Sequence, residues 1–429
     1  MSHILICVTP VPGSVNPMLA VAAYLQAVGH SIIFNTGAVF RDRIEASGIP
    51  FVPFTGLANY DYRQLETTFP DRQTLQSGSE QLIFDFKHLF GDVIPEQYRG
   101  IQQILATSPV DLILTDINFW GTLPLLLCAR ELRPLIIGCG VSPVLLSSQD
   151  VSLLSLTTFA PNHRDRHHKD RQEFIEICSI VNDYLDNVLV SCGAAKLPAL
   201  FLDVGYILPD RFFQFTATAF EFPRSDLPDT IEFVGAIRPN LSTQDWEPDW
   251  WLDLDRSRPI VLVTQGTAVD NDLSELIEPT LLGLADEDLS AIVSTGGIDP
   301  SKIAVTIPDN ARVTSFIPFE AVLPEVNVFI TNGGYGGVQQ SLSLSIPVVV
   351  AGATDAKSHV AARVAWSGAG LDLATARPTP AQIKSAVRDV LNQQKYRIEA
   401  QRLRQEFATH NALDRIGSRI DFARSEVCH

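Results

Sequence analysis

A chain of 429 residues is longer than one hydrophobic core ordinarily supports and is read as two domains. With 46% hydrophobic and 19% charged residues it is expected to be compact and soluble, and no apolar run approaches the ~20 residues of a membrane span, so no stable membrane anchor is expected. A formal net charge of −17 argues against nucleic acid and anionic membranes as partners, and leaves any phosphate to be held by local dipoles.

The opening MSHILICVTP has no basic segment before its apolar run and no small-residue cleavage site after it. It reads as a strand over residues 3–9 rather than a signal peptide, and a cytoplasmic protein is expected. Cys7, Cys128, Cys139, Cys178, Cys192 and Cys428 show no CxxC or metal-like spacing and read as reduced thiols. Residues 10–15 form a loop carrying Gly13 and Ser14, followed by a helix with Asn16 as cap, Pro17 at its first position, an apolar stripe through Met18, Leu19, Ala22 and Leu25, and Gly29 at its end. Strands at 31–35 and 49–54 around a helix at 39–46 continue an alternation that predicts a parallel sheet with right-handed crossovers. Ligands of such sheets gather at the carboxyl ends of the strands, which puts Gly13 and Ser14 in a site.

From residue 56 to about 100 the alternation lapses and Tyr60, Tyr62, Phe69, Phe84, Phe86 and Phe90 mix with polar residues. We read an acceptor-binding region, although aromatics filling a core beneath a helical insertion account for any one of them equally well. A strand at 110–115 then delivers Asp116 to the crevice that holds Ser14, and another strand follows at 134–139. The segment NHRDRHHKD interleaves His163, His167 and His168 with charges, a pattern that favours a solvated loop or helix face over a metal site. A strand at 231–237 precedes a stretch rich in Pro, Asp and Trp over 238–258, read as a linker whose Trp246, Trp250 and Trp251 pack between the halves. The second half opens with a strand at 259–264 leading to Gln265, Gly266 and Thr267; further strands fall at 289–295, 311–316 and 370–373, and residues 380–425 are helical by spacing and charge.

The most informative stretch is VFITNGGYGGVQQSLSLSIPVVVAG, residues 328–352, which reads as strand, glycine-rich turn, helix, strand. Asn332, Gly333, Gly334, Gly336 and Gly337 let a ligand approach the main chain, and the unpaired N–H groups at the helix start favour an anion such as a diphosphate. Taken alone, such a turn serves equally well as tight packing in any α/β protein.

Its surroundings resemble the nucleotide-sugar motif of the UDP-glycosyltransferase superfamily, whose macrolide glycosyltransferases act on small molecules. In that motif a His-x-Gly turn carries the diphosphate and a Glu eight positions later holds the ribose; here Asn332 and Gln340 stand in those places. Phe316, Ile317, Pro318 and Phe319 fall where the family has an aromatic, a residue whose backbone pairs with uracil, a proline and a glutamine. Thr354, Asp355, Ala356 and Lys357 fall at its Asp-Gln sugar-binding pair. The resemblance implies a GT-B fold: an acceptor-binding Rossmann-like domain over 1–237, the linker 238–258, a nucleotide-sugar-binding Rossmann-like domain over 259–405 facing it across a cleft, and a C-terminal helix over 406–429 crossing back onto the first domain.

It further implies an inverting, metal-independent transfer of a sugar from a UDP- or dTDP-sugar, UDP-glucose foremost, to a hydrophobic small-molecule acceptor such as a natural product. The donor is a co-substrate and no cofactor is implied. The expected donor-binding residues are Gly266, Thr267, Phe316, Ile317, Phe319, Asn332, Gly333, Gly334, Gly336, Gly337, Gln340, Asp355 and Lys357; Gly13, Phe84 and Phe119 are expected at the acceptor. A monomer or homodimer is expected. No Asp-x-Asp metal pair lies at a strand end near the diphosphate turn. Lys357 also fits an ordinary exposed helix lysine.

One departure is chemical. The family presents a His, or in some branches an Asp, as base at the position of Ser14, oriented by an Asp at Asp116, and a serine hydroxyl cannot serve as a base near neutral pH. Ser14 and Asp116 are the expected catalytic pair, with Asp116, a bound water or an acidic acceptor supplying the missing basicity. The same departure favours, as the alternative, a weakly active or auxiliary nucleotide-sugar-binding protein. An epimerase is a distant third, since few carboxylates are available to face a donor sugar.

Overall fold

In the computed structural model, residues 1–429 are described except 76–78, 152–163, 239–245, 247, 267–271, 354 and 428–429; the side chains of 79, 164–171, 173, 177, 355–356 and 423–427 are also outside the description. The apolar runs become two fully parallel sheets. The first holds β1 (His3–Cys7), β2 (Ser31–Thr36), β3 (Phe51–Pro53), β4 (Leu112–Asp116), β5 (Leu135–Gly140), β6 (Arg211–Gln214) and β7 (Ile231–Phe233) in the order β3-β2-β1-β4-β5-β6-β7. The second holds β8 (Ile260–Thr264), β9 (Ser290–Ser294), β10 (Ala311–Thr314), β11 (Val328–Thr331), β12 (Val348–Val350) and β13 (Gly370–Asp372) in the order β10-β9-β8-β11-β12-β13. Central strands such as β4, β8, β9 and β11 are buried along their whole length, as sheets covered by helices on both faces require.

Chain order reverses between β1 and β4 and again between β8 and β11, where Cys7 pairs with Thr115 and Thr264 with Thr331. Each reversal opens a crevice beyond the strand ends. This is the two-Rossmann arrangement of a GT-B protein. The last helix, Ala412–Val427, crosses to the first sheet: Ile416 and Ile420 enter its core, Tyr24 donates to Asp414 at 2.7 Å, and Arg415 and Arg419 pair with Glu232 at 2.6 and 2.8 Å. The helix Gln394–Ala408 packs on the second sheet's core through Ala400, Leu403 and Phe407, and Ala412 enters the core of the first. A buried pair of Arg363 with Glu221, Nε to Oε1 at 2.7 Å, ties the helix Asp355–Ser367 to the first half.

Several local expectations shift. The helix after β1 begins at Pro12 and runs to Ala27, because Pro12 already satisfies the first helical position and Val11 is extended. Pro17 therefore sits inside the helix, and Asn16 accepts from Arg43 at 2.6 Å instead of capping. Residues 211–214 form a strand that sequence reading passes over, and a helix runs from Arg164 to Ser191. His163 and the side chains of His167 and His168 lie outside the described residues. Trp246, Trp250 and Trp251 pack edge-to-face on one another at 5.4–6.0 Å, against a core belonging mainly to the second sheet that also takes in Ala217 and Phe220. No helix among the described residues is long and apolar enough to cross a membrane.

Candidate active site

The glycine-rich turn after β11 is shaped by one backbone requirement. Gly333 has φ +98°, and a Cβ there would stand 3.0 Å from the carbonyl oxygen of Lys357, so only glycine fits. Gly334 precedes the helix Tyr335–Leu342, which starts two residues before Gly337; Gly336 and Gly337 thus belong to its first turn, where N–H groups lack intrahelical partners. A Cβ on Gly337 would lie 3.0 Å from the Phe319 ring, so the absence of a side chain lets the platform after β10 close against the cradle helix.

Asn332 donates through Nδ2 to the carbonyl of Gln265 at 2.5 Å and thereby joins the turn after β11 to the turn after β8. Gln265 in turn accepts from the N–H groups of Leu276 and Ile277 at 3.4 and 3.1 Å, anchoring the β8 turn to a helix start. Gly266 follows with φ +75°.

These turns line a cleft of about 270 Å³ with walls from both halves. Pro12, Gly13, Asn16, Pro17, Val141, Phe215 and Ile237 come from the first; Gly266, Phe316, Ile317, Phe319, Glu320, Gly334–Gly337, Gln339 and Gln340 come from the second. Phe316 is 52% exposed, a large apolar ring left facing the opening. Gln214 donates to the Tyr335 hydroxyl at 3.4 Å across the two halves, closing the floor. Burial pushes the Tyr335 phenol far above its usual range, so it stays neutral.

Of the residues expected at the donor, Gly266, Phe316, Ile317, Phe319, Gly334, Gly336, Gly337 and Gln340 line this cleft, as does Gly13 on the acceptor side. Asn332 and Gly333 shape the turn from behind, and Lys357 contributes a backbone carbonyl and Cβ against Gly333. Thr267 and the side chain of Asp355 lie outside the described residues. Phe84 is half-buried and packs on His88 at 4.5 Å, and Phe119 is 2% exposed and stacked on Phe54 at 5.6 Å; neither ring is among the residues that line this cleft.

Ser14 and Asp116 do meet, Oγ to Oδ1 at 3.1 Å, but each is 1% exposed. The carboxylate also accepts from the N–H groups of Thr9 at 2.7 Å and Asn118 at 3.0 Å. Burial pushes the Asp116 carboxyl up to about 6, with those hydrogen bonds opposing the rise. The pair is a closed, satisfied unit behind the helix start, and the wall it backs is formed by Pro12, Gly13, Asn16 and Pro17.

Sequence reading passed over Tyr335, Glu320 and Gln339. Tyr335 lay in plain view inside the glycine run, where a single large residue signals a contact; Glu320 and Gln339 carried no comparable signal.

Residues 281–419 match the family described as erythromycin biosynthesis protein CIII-like, C-terminal domain. The chain is 34% identical to 4'-demethylrebeccamycin synthase of Lentzea aerocolonigenes, over 96% of this chain and 97% of that protein. It is 31% identical to UDP-glycosyltransferase 2 of Phaeomoniella chlamydospora, over 98% and 95%. Among solved structures the glycosyltransferase of kitacinnamycin superposes with a TM-score of 0.74 at 19% identity, covering 98% of each chain, a likeness of fold. The chain belongs to the UDP-glycosyltransferase superfamily of small-molecule glycosyltransferases, and it is a glycosyltransferase with the GT-B fold.

Proposed function

We propose that the enzyme transfers a sugar, glucose foremost, from a UDP-sugar to a hydrophobic small-molecule acceptor such as a natural product, with inversion at the anomeric carbon and without a metal. The observation that carries this reading is the pairing, in one cleft, of the half-exposed Phe316 ring with the glycine cradle Gly334–Gly337. An aromatic platform suits a nucleobase, and the free N–H groups at the start of an eight-residue helix suit a diphosphate.

The acceptor enters against Gly13, Val141 and Phe215 and attacks the anomeric carbon from the face opposite the diphosphate. The new bond forms from the acceptor lone pair while the bond to the diphosphate oxygen breaks, and the leaving electron pair is stabilised by the cradle N–H groups. The acceptor proton is the remaining problem. Asp116 is hydrogen-bonded to Ser14, Thr9 and Asn118, is buried and does not line the cleft, so the carboxylate does not face the acceptor. Acceptors whose protons are already acidic, phenols above aliphatic alcohols, fit this site best.

The test is UDP release from a panel of donors with matched phenol and alcohol acceptors, hydrolysis of donor alone as control, and a chelator arm. Acceptor-dependent UDP release that survives chelation and yields an inverted product supports the proposal. Release only without acceptor, or only with added metal, would overturn it.

A further inference from the structure

Arg363 belongs to the helix Asp355–Ser367 of the second half and is buried, yet most of its guanidinium is directed at the first half. Nε donates to Glu221 Oε1 at 2.7 Å; Nη2 donates to that same oxygen and, at 3.4 Å, to the carbonyl of Val144. Only Nη1 turns back to its own helix, donating to the carbonyl of His359 at 3.0 Å. Glu221, between β6 and β7, completes the unit: Oε2 accepts from the Val144 N–H at 3.1 Å and Oε1 from the Phe222 N–H at 3.0 Å.

Adhesion between the halves does not call for this arrangement. Desolvation offsets much of the attraction in a buried ion pair, and an apolar pair of similar volume holds two surfaces together about as well. What a guanidinium fork adds is direction. Both ends are placed to use it. Val144 lies in the loop after β5, three residues beyond Val141, which forms part of the cleft wall on the acceptor side. That loop is fastened to the first half, where the Leu145 N–H donates to the Tyr206 hydroxyl at 3.0 Å and the Ser147 N–H to Asp203 at 2.8 Å. At the other end, the helix bearing Arg363 starts against the glycine turn: the Lys357 carbonyl is the atom that a Cβ on Gly333 would approach to 3.0 Å. Lys357 and Arg363 are less than two turns apart on that helix. One guanidinium thus links the acceptor wall to the cradle.

Transfer requires the attacking atom and the anomeric carbon to stand about 3–3.5 Å apart, and a misplacement of about 1 Å costs about a hundredfold. We infer that Arg363 is a positioning residue for sugar transfer: with Glu221 it fixes the helix Asp355–Ser367 against the loop after β5 and so sets the separation of donor and acceptor. This rests on the reading above that the first half holds the acceptor and the second the donor. Water needs no wall to place it, so donor hydrolysis persists when the link is loosened, whereas transfer falls.

Two variants test it. Arg363→Lys keeps the charge and loses the fork; Arg363→Met combined with Glu221→Gln removes both charges and leaves an amide oxygen to accept from Val144 and Phe222. For each, melting temperature, UDP affinity by calorimetry, and UDP release from UDP-glucose with and without a phenol acceptor are compared with wild type. Both variants are expected to bind UDP within about twofold of wild type, a negligible change on the scale of binding. The ratio of transfer to hydrolysis is expected to fall about tenfold or more, through kcat for transfer and with the donor KM held. An unchanged ratio, or transfer and hydrolysis falling together with melting temperature, would overturn the inference. Failure of the uncharged pair to fold would place its role in folding and overturn it equally. Wild type that releases UDP no faster with acceptor than without would instead overturn the acceptor reading, and this inference with it.

Discussion

At the carboxyl ends of β1 and β4, Asp116 collects three donors, from Thr9, Asn118 and Ser14, and is shut away from solvent. At the equivalent place beyond β8 and β11 the turn is mostly glycine around Asn332 and Tyr335, and Gly334, Gly336 and Gly337 expose the main chain to a cleft that Glu320 and Gln339 also line. The same topology makes both crevices, so the difference lies in what the residues do with them. Around Asp116 the donors are taken up inside the fold. The crevice lined by exposed main chain has room for a ligand. Ser14 lies in the first crevice, hydrogen-bonded to Asp116 and buried.

Gly333→Val strikes the open crevice hardest. A β-branched residue at positive φ costs about 1–3 kcal/mol of backbone strain, before the clash with the Lys357 carbonyl is counted. The turn must move, and UDP affinity is expected to fall about 100-fold, roughly 2.7 kcal/mol, in a calorimetric titration. An unchanged affinity would show that the cradle is not where the nucleotide lies.

Asp116→Ala is the counterpart in the closed crevice. It leaves two N–H groups and a hydroxyl without their acceptor, a loss of about 2–4 kcal/mol that should appear as a lowered melting temperature. UDP affinity is expected to stay within about twofold, a negligible change on the free-energy scale of binding. A variant that melts like wild type but no longer binds UDP would reverse the roles given to the two crevices.

Asn332→Ala should have an intermediate effect, since its amide bridges the two turns of the open crevice. About tenfold weaker UDP binding with a small drop in melting temperature is expected, as for one lost hydrogen bond whose main work is positioning. Equal wild-type and variant affinities would mean that the β8 turn holds its place without the bridge.

The smallest effect is one of pH. Because the folded-state pKa of Asp116, about 6, lies above its ordinary value of 3.8, its protonated form stabilises the fold below about pH 4. That contribution is lost as pH rises through about 6, so melting temperature should decline across this window in wild type, with the slope removed in Asp116→Ala. An identical slope in the variant would show that other groups titrate there.

The two sheets were legible because parallel strands buried on both faces appear as continuous apolar runs, and the turn after β11 because a glycine cluster between strand and helix marks a tight turn, although only its surroundings favour a phosphate cradle over packing. The strand Arg211–Gln214 was not legible: four residues beside a proline carry too little pattern. The helix start was misplaced because Pro12 and Pro17 both fit a first helical position, and only packing decides between them. The meeting of Ser14 with Asp116 followed from topology, but its burial did not, since depth behind a helix start has no signature in spacing. Glu320 was hidden for a related reason: a glutamate in the first turn of a helix is usually a solvated favourable charge, and only the structure shows it half-buried in the wall of the cleft.

The contrast between the crevices is tested most directly by hydrogen exchange on the full chain with and without saturating UDP. The account predicts slowed exchange in the segments that hold Phe316–Glu320 and Gly333–Gly337, and unaltered exchange across Thr9–Ser14 and at Asp116. Protection confined to Thr9–Ser14, or no protection in the glycine turn while UDP is bound, would contradict it.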